Sequence, residues 1–169
     1  MTNPVIKFTI RDLGTMTAEL YPEKAPKTVA NFVKLCEEGF FEGLIFHRVI
    51  KGFMIQGGGY TEQFAEKHTA SIKGEFMANG CFSNDLRHTR GVLSMARTMI
   101  PDSASSQFFI MHKDSPHLDA QYAGFGKVIE GIEVVNQIAS VKTGTLGFYM
   151  ADVPRESVVI ESIRLVSEQ

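Results

Sequence analysis

The sequence predicts a mainly β protein, a closed eight-stranded antiparallel β-barrel capped by two α-helices. Three observations carry that expectation. Eight short β-prone runs are separated by glycine-rich, proline-containing or polar connections. Two other segments repeat apolar residues at helical spacing. Strands and helices do not alternate in βαβ fashion, which favours a closed antiparallel sheet over a doubly wound parallel one.

Each element has its own local cause. Ile6, Phe8 and Ile10, then Met16, Ala18 and Leu20, alternate with polar residues around the turn formers Asp12 to Gly14, the pattern of a hairpin with one buried face. In APKTVANFVKLCEEG, Pro26 suits a first helical turn, Val29, Phe32, Val33 and Cys36 share a face, and Gly39 offers a stop, giving a helix over 26–38. Strands are expected near 44–49, 53–56, 91–96, 107–111 and 122–129. GIEVVNQIAS sets Ile132, Val135, Ile138 and Ala139 on one face of a second helix, and SVVIESIRLV (157–166) supplies the last strand. Stretches 57–90 and 141–156 carry little strand signal, and connections that long in a compact domain are usually functional or packed.

With 169 residues, 44% hydrophobic and 21% charged, the chain reads as one globular domain over 1–169, neither disordered nor membrane-embedded. A net charge of -2 without a block of like charges speaks against a nucleic-acid partner. MTNPVIKFTI has no basic leader, and no window approaches the roughly 20 apolar residues that span a bilayer, so the expected location is the cytoplasm, with no membrane association. Cys36 and Cys81 form no CxxC pair, and Cys36 falls on the apolar stripe of the first helix. The absence of a heptad or an apolar interaction stripe makes a monomer the expectation.

Several chemistries fail on spacing. His47, His68, His88, His112 and His117 match no metal-ligand rhythm, so no metal is expected. GFGKV at 124–128 lacks the Ser or Thr that follows GK in a phosphate loop. Ser103, Ser105 and Ser106 lie outside any GxSxG elbow. The glycines at 57–59 read as a turn or bulge where larger side chains would clash. What remains is FHRVIKGFMIQGGG (46–59), where Arg48 and Gln56 stand in an apolar stretch. Alternation there puts Arg48 on the face of Leu44, Phe46 and Ile50, with no acidic neighbour.

That stretch, followed by GVLSMAR, SQFFI and HLDAQYAGFGKV, resembles the cyclophilin family of peptidyl-prolyl cis-trans isomerases from about residue 5 to 166. The resemblance implies an eight-stranded barrel with two helices and a reaction that makes and breaks no covalent bond. Rotation about an X-Pro amide is opposed by about 18–20 kcal/mol of lost resonance and takes tens to hundreds of seconds unaided. A twisted amide nitrogen is a better hydrogen-bond acceptor, so a donor aimed at it binds the transition state more tightly than either ground state. The resemblance gives that catalytic role to Arg48, a fork of donors that does not deprotonate, with Gln56 holding the guanidinium or the peptide carbonyl.

It also implies a proline pocket of Phe53, Met54, Phe109 and Leu118, a substrate-binding strand edge at Ala96 and Arg97, and Gln107 facing that edge. Phe108 and Ile110 are expected in the barrel core instead. His117 stands where eukaryotic members often have tryptophan, and Tyr122 replaces a family histidine. The expected partners are therefore proline-containing polypeptides, with cyclosporin bound at reduced affinity. Arg97 and the longer TMIPDSASSQ segment resemble the small bacterial cyclophilins, and Arg97 over the cleft would favour acidic residues beside the proline. No cofactor is required for bond rotation. A non-catalytic proline-peptide binding module or holdase chaperone is the alternative reading, and retention of Arg48 favours the enzyme.

Overall fold

The computed structural model describes residues 3–146 and 150–168. Its first ribbon pairs β1 (Pro4–Ile10) with β2 (Gly14–Leu20). Ile6, Phe8 and Ile10 meet Ala18, Met16 and Gly14 across it, so the predicted alternation buries one face. Helix α1 (Pro26–Glu37) begins with proline at its first turn and buries Val29, Phe32, Leu35 and Cys36. The remaining elements are β3 (Arg48–Ile50), β4 (Met54–Gly57), β5 (Val92–Met95), β6 (Phe108–Met111), β7 (Gly124–Glu130), α2 (Ile132–Ala139), β8 (Thr143–Leu146), β9 (Met150–Pro154) and β10 (Ile160–Glu168).

Eight strands form one antiparallel sheet in the order β10-β1-β2-β7-β5-β6-β4-β3. The predicted eight strands are these. Closure is looser than expected, because the terminal strands β3 and β10 do not pair with each other. The edges instead meet in the segments preceding them, through Gly43 N–H to Ile160 O at 2.8 Å, Ile160 N–H to Leu44 O at 2.8 Å, Phe46 N–H to Val158 O at 3.0 Å and a bridge between Ile45 and Val159. The result is a curled sheet with a short hydrogen-bonded seam.

Two further differences have local causes. Stretch 141–156 contains a separate two-stranded ribbon of β8 and β9, whose tip, 147–149, lies outside the described residues. Thr143, Gly144 and Leu146 are only half-buried or exposed, so the ribbon lacks the apolar alternation from which strands are read. Leu44 and Phe46 do not share a face with Arg48. They lie in the barrel core, because the regular strand begins only at Arg48 and the pleat does not extend back through His47.

The core joins residues from both helices and from β1 to β7 and β10. Phe32 of α1 stands at its centre, with ring centroids 4.9 Å from Phe41, 5.1 Å from Phe125 and 5.4 Å from Phe108. Cys36 beside it is free, and burial pushes its thiol up to about 12, which makes it an inert packing group. Among the described residues no helix is long and apolar enough to cross a membrane. Because Phe32 contacts three other rings at zero exposure, Phe32→Ala is expected to lose about 3–5 kcal/mol of stability, measured by urea denaturation.

Candidate active site

The pleat of β3, β4, β5 and β6 divides their apolar side chains between two clusters. Val49, Ile55, Leu93, Met95, Phe108 and Ile110 point into the barrel core. Met54, Val92, Phe109 and Met111 point the other way and, with Leu118, form a second cluster on the outside of the sheet. Ile50, Phe53, Leu86, Ala96 and Tyr122 pack around it. Phe108 and Phe109 thus serve different clusters, as the sequence reading expected.

The polar residues stand in one row across this outer face. Arg48 of β3 is the register partner of Gln56 of β4, Gln56 of Phe109 of β6, and Phe109 of Ser94 of β5. Nη1 of Arg48 donates to Oε1 of Gln56 at 3.3 Å, and Nε2 of Gln56 donates to Oε1 of Gln107 at 3.0 Å. The guanidinium is therefore held from one side and remains exposed on the other. Gln107 fits only because residue 59 is glycine: a Cβ there would come within 2.5 Å of the Gln107 side chain. That close approach accounts for the last glycine of GGG.

A cavity of about 140 Å³ opens on this face. Phe53, Met54, Phe109 and Leu118 supply its apolar lining, Arg48 and Gln56 its polar side, and Ala96, Arg97 and Tyr122 its far wall. Of the eleven residues singled out from the sequence, Gln107 and His117 do not line it. Gln107 acts one hydrogen bond behind, through Gln56. His117, exposed on the short 3-10 turn Pro116–Leu118, stacks on Phe53 with centroids 5.8 Å apart. Tyr122 meets Phe109 edge-on at 5.8 Å.

Arg97 is more committed than a free surface charge. Its guanidinium lies between the rings of Phe76, at 4.6 Å, and Tyr122, at 4.7 Å. Nη1 and Nη2 donate to the carbonyls of Thr98 and Gln121 at 2.9 and 2.6 Å. These contacts brace Tyr122 and leave little of the guanidinium to select a flanking carboxylate.

The sequence reading missed a buried relay behind the pocket. Oγ of Ser94 lies 2.8 Å from Nε2 of His88, and Nδ1 of His88 lies 3.1 Å from Oδ1 of Asp119. A carboxylate only accepts, so Nδ1 carries the proton and Nε2 accepts from the Ser94 hydroxyl. Asp119 also accepts the backbone N–H of His88 at 2.6 Å. Residue types and order match a hydrolytic triad, but Ser94 is 0% exposed and no substrate carbonyl can reach it. The relay is a brace: the His88 ring stacks behind Phe109 at 6.1 Å. Burial holds its pKa below the ordinary histidine value, against the raising effect of Asp119. No spacing rule could have found it, because its members come from three separate loops and strands.

His47, next to Arg48 in the chain, is buried, and among the described residues its Nδ1 has no hydrogen-bond partner. Burial, with the Arg48 guanidinium beside it, brings its pKa down to about 4. The neutral ring keeps a second cation away from Arg48. As pH falls from about 6.5 towards 4, the unfolded chain takes up a proton that the folded one refuses, so the stability this neutrality contributes is lost in that window. The melting temperature should fall across it, and by less in His47→Phe; equal falls would count against this assignment.

Comparison with known proteins bears on the whole arrangement. The family model described as cyclophilin type peptidyl-prolyl cis-trans isomerase/CLD matches residues 5–165. A peptidyl-prolyl cis-trans isomerase of Acinetobacter baylyi is 48% identical, over 92% of this chain and 82% of its own length. Peptidyl-prolyl cis-trans isomerase B of Escherichia coli is 45% identical, over 89% of this chain and 93% of its own. Crystal structures of a cyclophilin type peptidyl-prolyl cis-trans isomerase of Cryptosporidium parvum are similar at 28% identity. One has a TM-score of 0.80 over 99% of both chains. The other, determined in the presence of the dipeptide Ala-Pro, has 0.78 over 96% of this chain and 99% of that one.

Proposed function

The chain belongs to the cyclophilin-type peptidyl-prolyl cis-trans isomerases and accelerates rotation about X-Pro bonds, and from that premise we propose how its own residues divide the work. Phe53, Met54, Phe109 and Leu118 grip the proline ring in the 140 Å³ cavity, and Arg48 donates to the proline nitrogen as the amide leaves planarity. The observation that carries this reading is the row Arg48–Gln56–Gln107, which presents a permanently charged donor at the rim of an apolar cavity and tethers it on one side only. Gln56 orients that donor, and Gln107 orients Gln56.

No single contact suffices. Raising a rate from about 0.01 to about 1000 per second takes roughly 7 kcal/mol. One charge-assisted hydrogen bond supplies about 1.5–3 kcal/mol. Orientation of the flanking residues along the Ala96 edge and exclusion of water by the apolar walls supply the remainder. The main chain at Ala96 lies one residue beyond β5, where its N–H donates to Gln107 O at 3.0 Å and ties the substrate edge to the residue that orients Gln56. The Ala-Pro dipeptide named with the Cryptosporidium protein fits the same class of ligand.

Proline-containing polypeptides are thus the substrates, and the chain assists folding as one isomerase domain over 1–169, monomeric and cytoplasmic. His117, stacked on Phe53 with no indole to offer, leaves cyclosporin a weaker ligand here. Cis/trans exchange of a short X-Pro peptide, followed by NMR without a coupled protease, tests the assignment. Arg48→Ala is expected to lower the catalysed rate by about 10- to 150-fold, the equivalent of one charge-assisted hydrogen bond, with peptide affinity changed much less. Equal loss of both would overturn the role of Arg48, and binding without acceleration by the unmodified protein would favour a proline-recognition module.

A further inference from the structure

β3 is three residues long and lies at the end of the sheet, paired only with β4, yet it carries Arg48. Its placement depends on the turn that joins it to β4. That turn, Lys51–Phe53, has Gly52 at φ +79° and is closed by Phe53 N–H to Ile50 O at 3.0 Å. Residue 112, just past the end of β6, holds it twice more. The backbone N–H of His112 donates to Phe53 O at 2.9 Å, and the backbone N–H of Gly52 donates to the His112 ring at Nδ1, also at 2.9 Å. A ring nitrogen that accepts a backbone N–H carries no proton, so the imidazole is neutral, with its hydrogen on Nε2.

We propose that His112 is a positioning residue for the isomerase reaction: its unprotonated Nδ1 pins Gly52 and so fixes the turn that sets Phe53 against the pocket and Arg48 over it. The inference rests on the roles given above to Arg48 and Phe53. It is specific to the residue type, because a protonated imidazole would turn a second donor towards the Gly52 N–H and release the turn.

The surroundings favour the neutral ring. Burial and then the Arg90 guanidinium hold its pKa below the ordinary histidine value, Lys51 acts the same way, and a hydrogen bond with the Asn136 side chain opposes them. Arg90 is itself fastened there, with its Nη2 donating to Oδ1 of Asn136 at 2.7 Å and its backbone N–H to Oδ1 of Asp114 at 2.8 Å. Lys51 from the turn, Arg90 from the loop before β5 and Asn136 from α2 are the charged and polar groups that act on the ring, and Asp114 of its own segment holds the Arg90 backbone. The acceptor is present above the lowered pKa and disappears as pH falls through it.

The test follows kcat/KM by NMR exchange, together with the Gly52 amide resonance, from about pH 8 down to about pH 5 in the intact protein, in His112→Asn and in His112→Ala. Oδ1 of asparagine can occupy the place of Nδ1 and accepts at every pH. The intact protein is expected to lose activity in step with the titration of the Gly52 amide. His112→Asn should keep neutral-pH activity within about twofold and lose that acid limb, while His112→Ala should fall about 2- to 12-fold at neutral pH, the equivalent of one hydrogen bond. Activity that stays level while the Gly52 amide titrates, or an acid limb retained by His112→Asn, would overturn the proposal. Arg48→Ala run alongside separates the two readings: full activity there overturns the role of Arg48, whereas failure of the His112 variants to respond, in an enzyme that needs Arg48, overturns only the role of His112.

Discussion

The strand pleat on β3 to β6 is the constraint on which the rest depends. Because successive side chains leave a strand on opposite faces, the same four strands fill the barrel core with Val49, Ile55, Leu93 and Phe108 and build the outer cluster with Met54, Val92 and Phe109. The pocket floor and the core are one backbone apart. A one-residue slip of β4 against β6 would exchange Gln56 with Ile55, driving an amide into the core and removing the link that holds Arg48. The barrel core and the outer cavity therefore demand the same register.

Around that floor, polar groups are arranged so that each has one partner too few or just enough. Arg48 is tethered through Gln56 to Gln107 and left open towards the cavity, whereas Arg97 is flanked by two rings and donates to two carbonyls. One arginine is held available and the other is used as a wall. Behind the floor, Ser94, His88 and Asp119 satisfy one another where no water reaches the serine, so a triad of residue types serves packing. Burial decides between those uses, since a nucleophile must be reachable and a brace must not be.

The histidines show how far position outweighs residue type. His47 and His88 are buried, His117 is exposed and stacks on Phe53 outside the cavity, and His112 receives a backbone N–H from the turn below Arg48. All five looked alike in the sequence because none shared a ligand spacing with another. Their differences arise from neighbours 31 to 60 residues away, Asp119 for His88 and Gly52 for His112.

The elements were legible in the sequence, because alternation in β1 and β2 and the proline-started stripe of α1 are properties of residues a few positions apart, which local sterics and burial reward directly. Arg48, Gln56, Phe53, Met54, Phe109 and Leu118 were assigned to one site only through the resemblance of their motifs to a family, and the fold gathers them around one cavity. Tertiary structure alone decided how the sheet ends meet, through a short hydrogen-bonded seam instead of pairing between β3 and β10, and that Leu44 and Phe46 turn inward while Arg48 turns out. It also decided the β8–β9 ribbon, the His88 relay, the capture of Arg97 between Phe76 and Tyr122, and the bond from Gly52 to His112. Each of these is a hydrogen bond or ring contact between distant segments, and such a contact leaves no periodic trace in the chain, because its geometry exists only once the sheet has brought the two segments together.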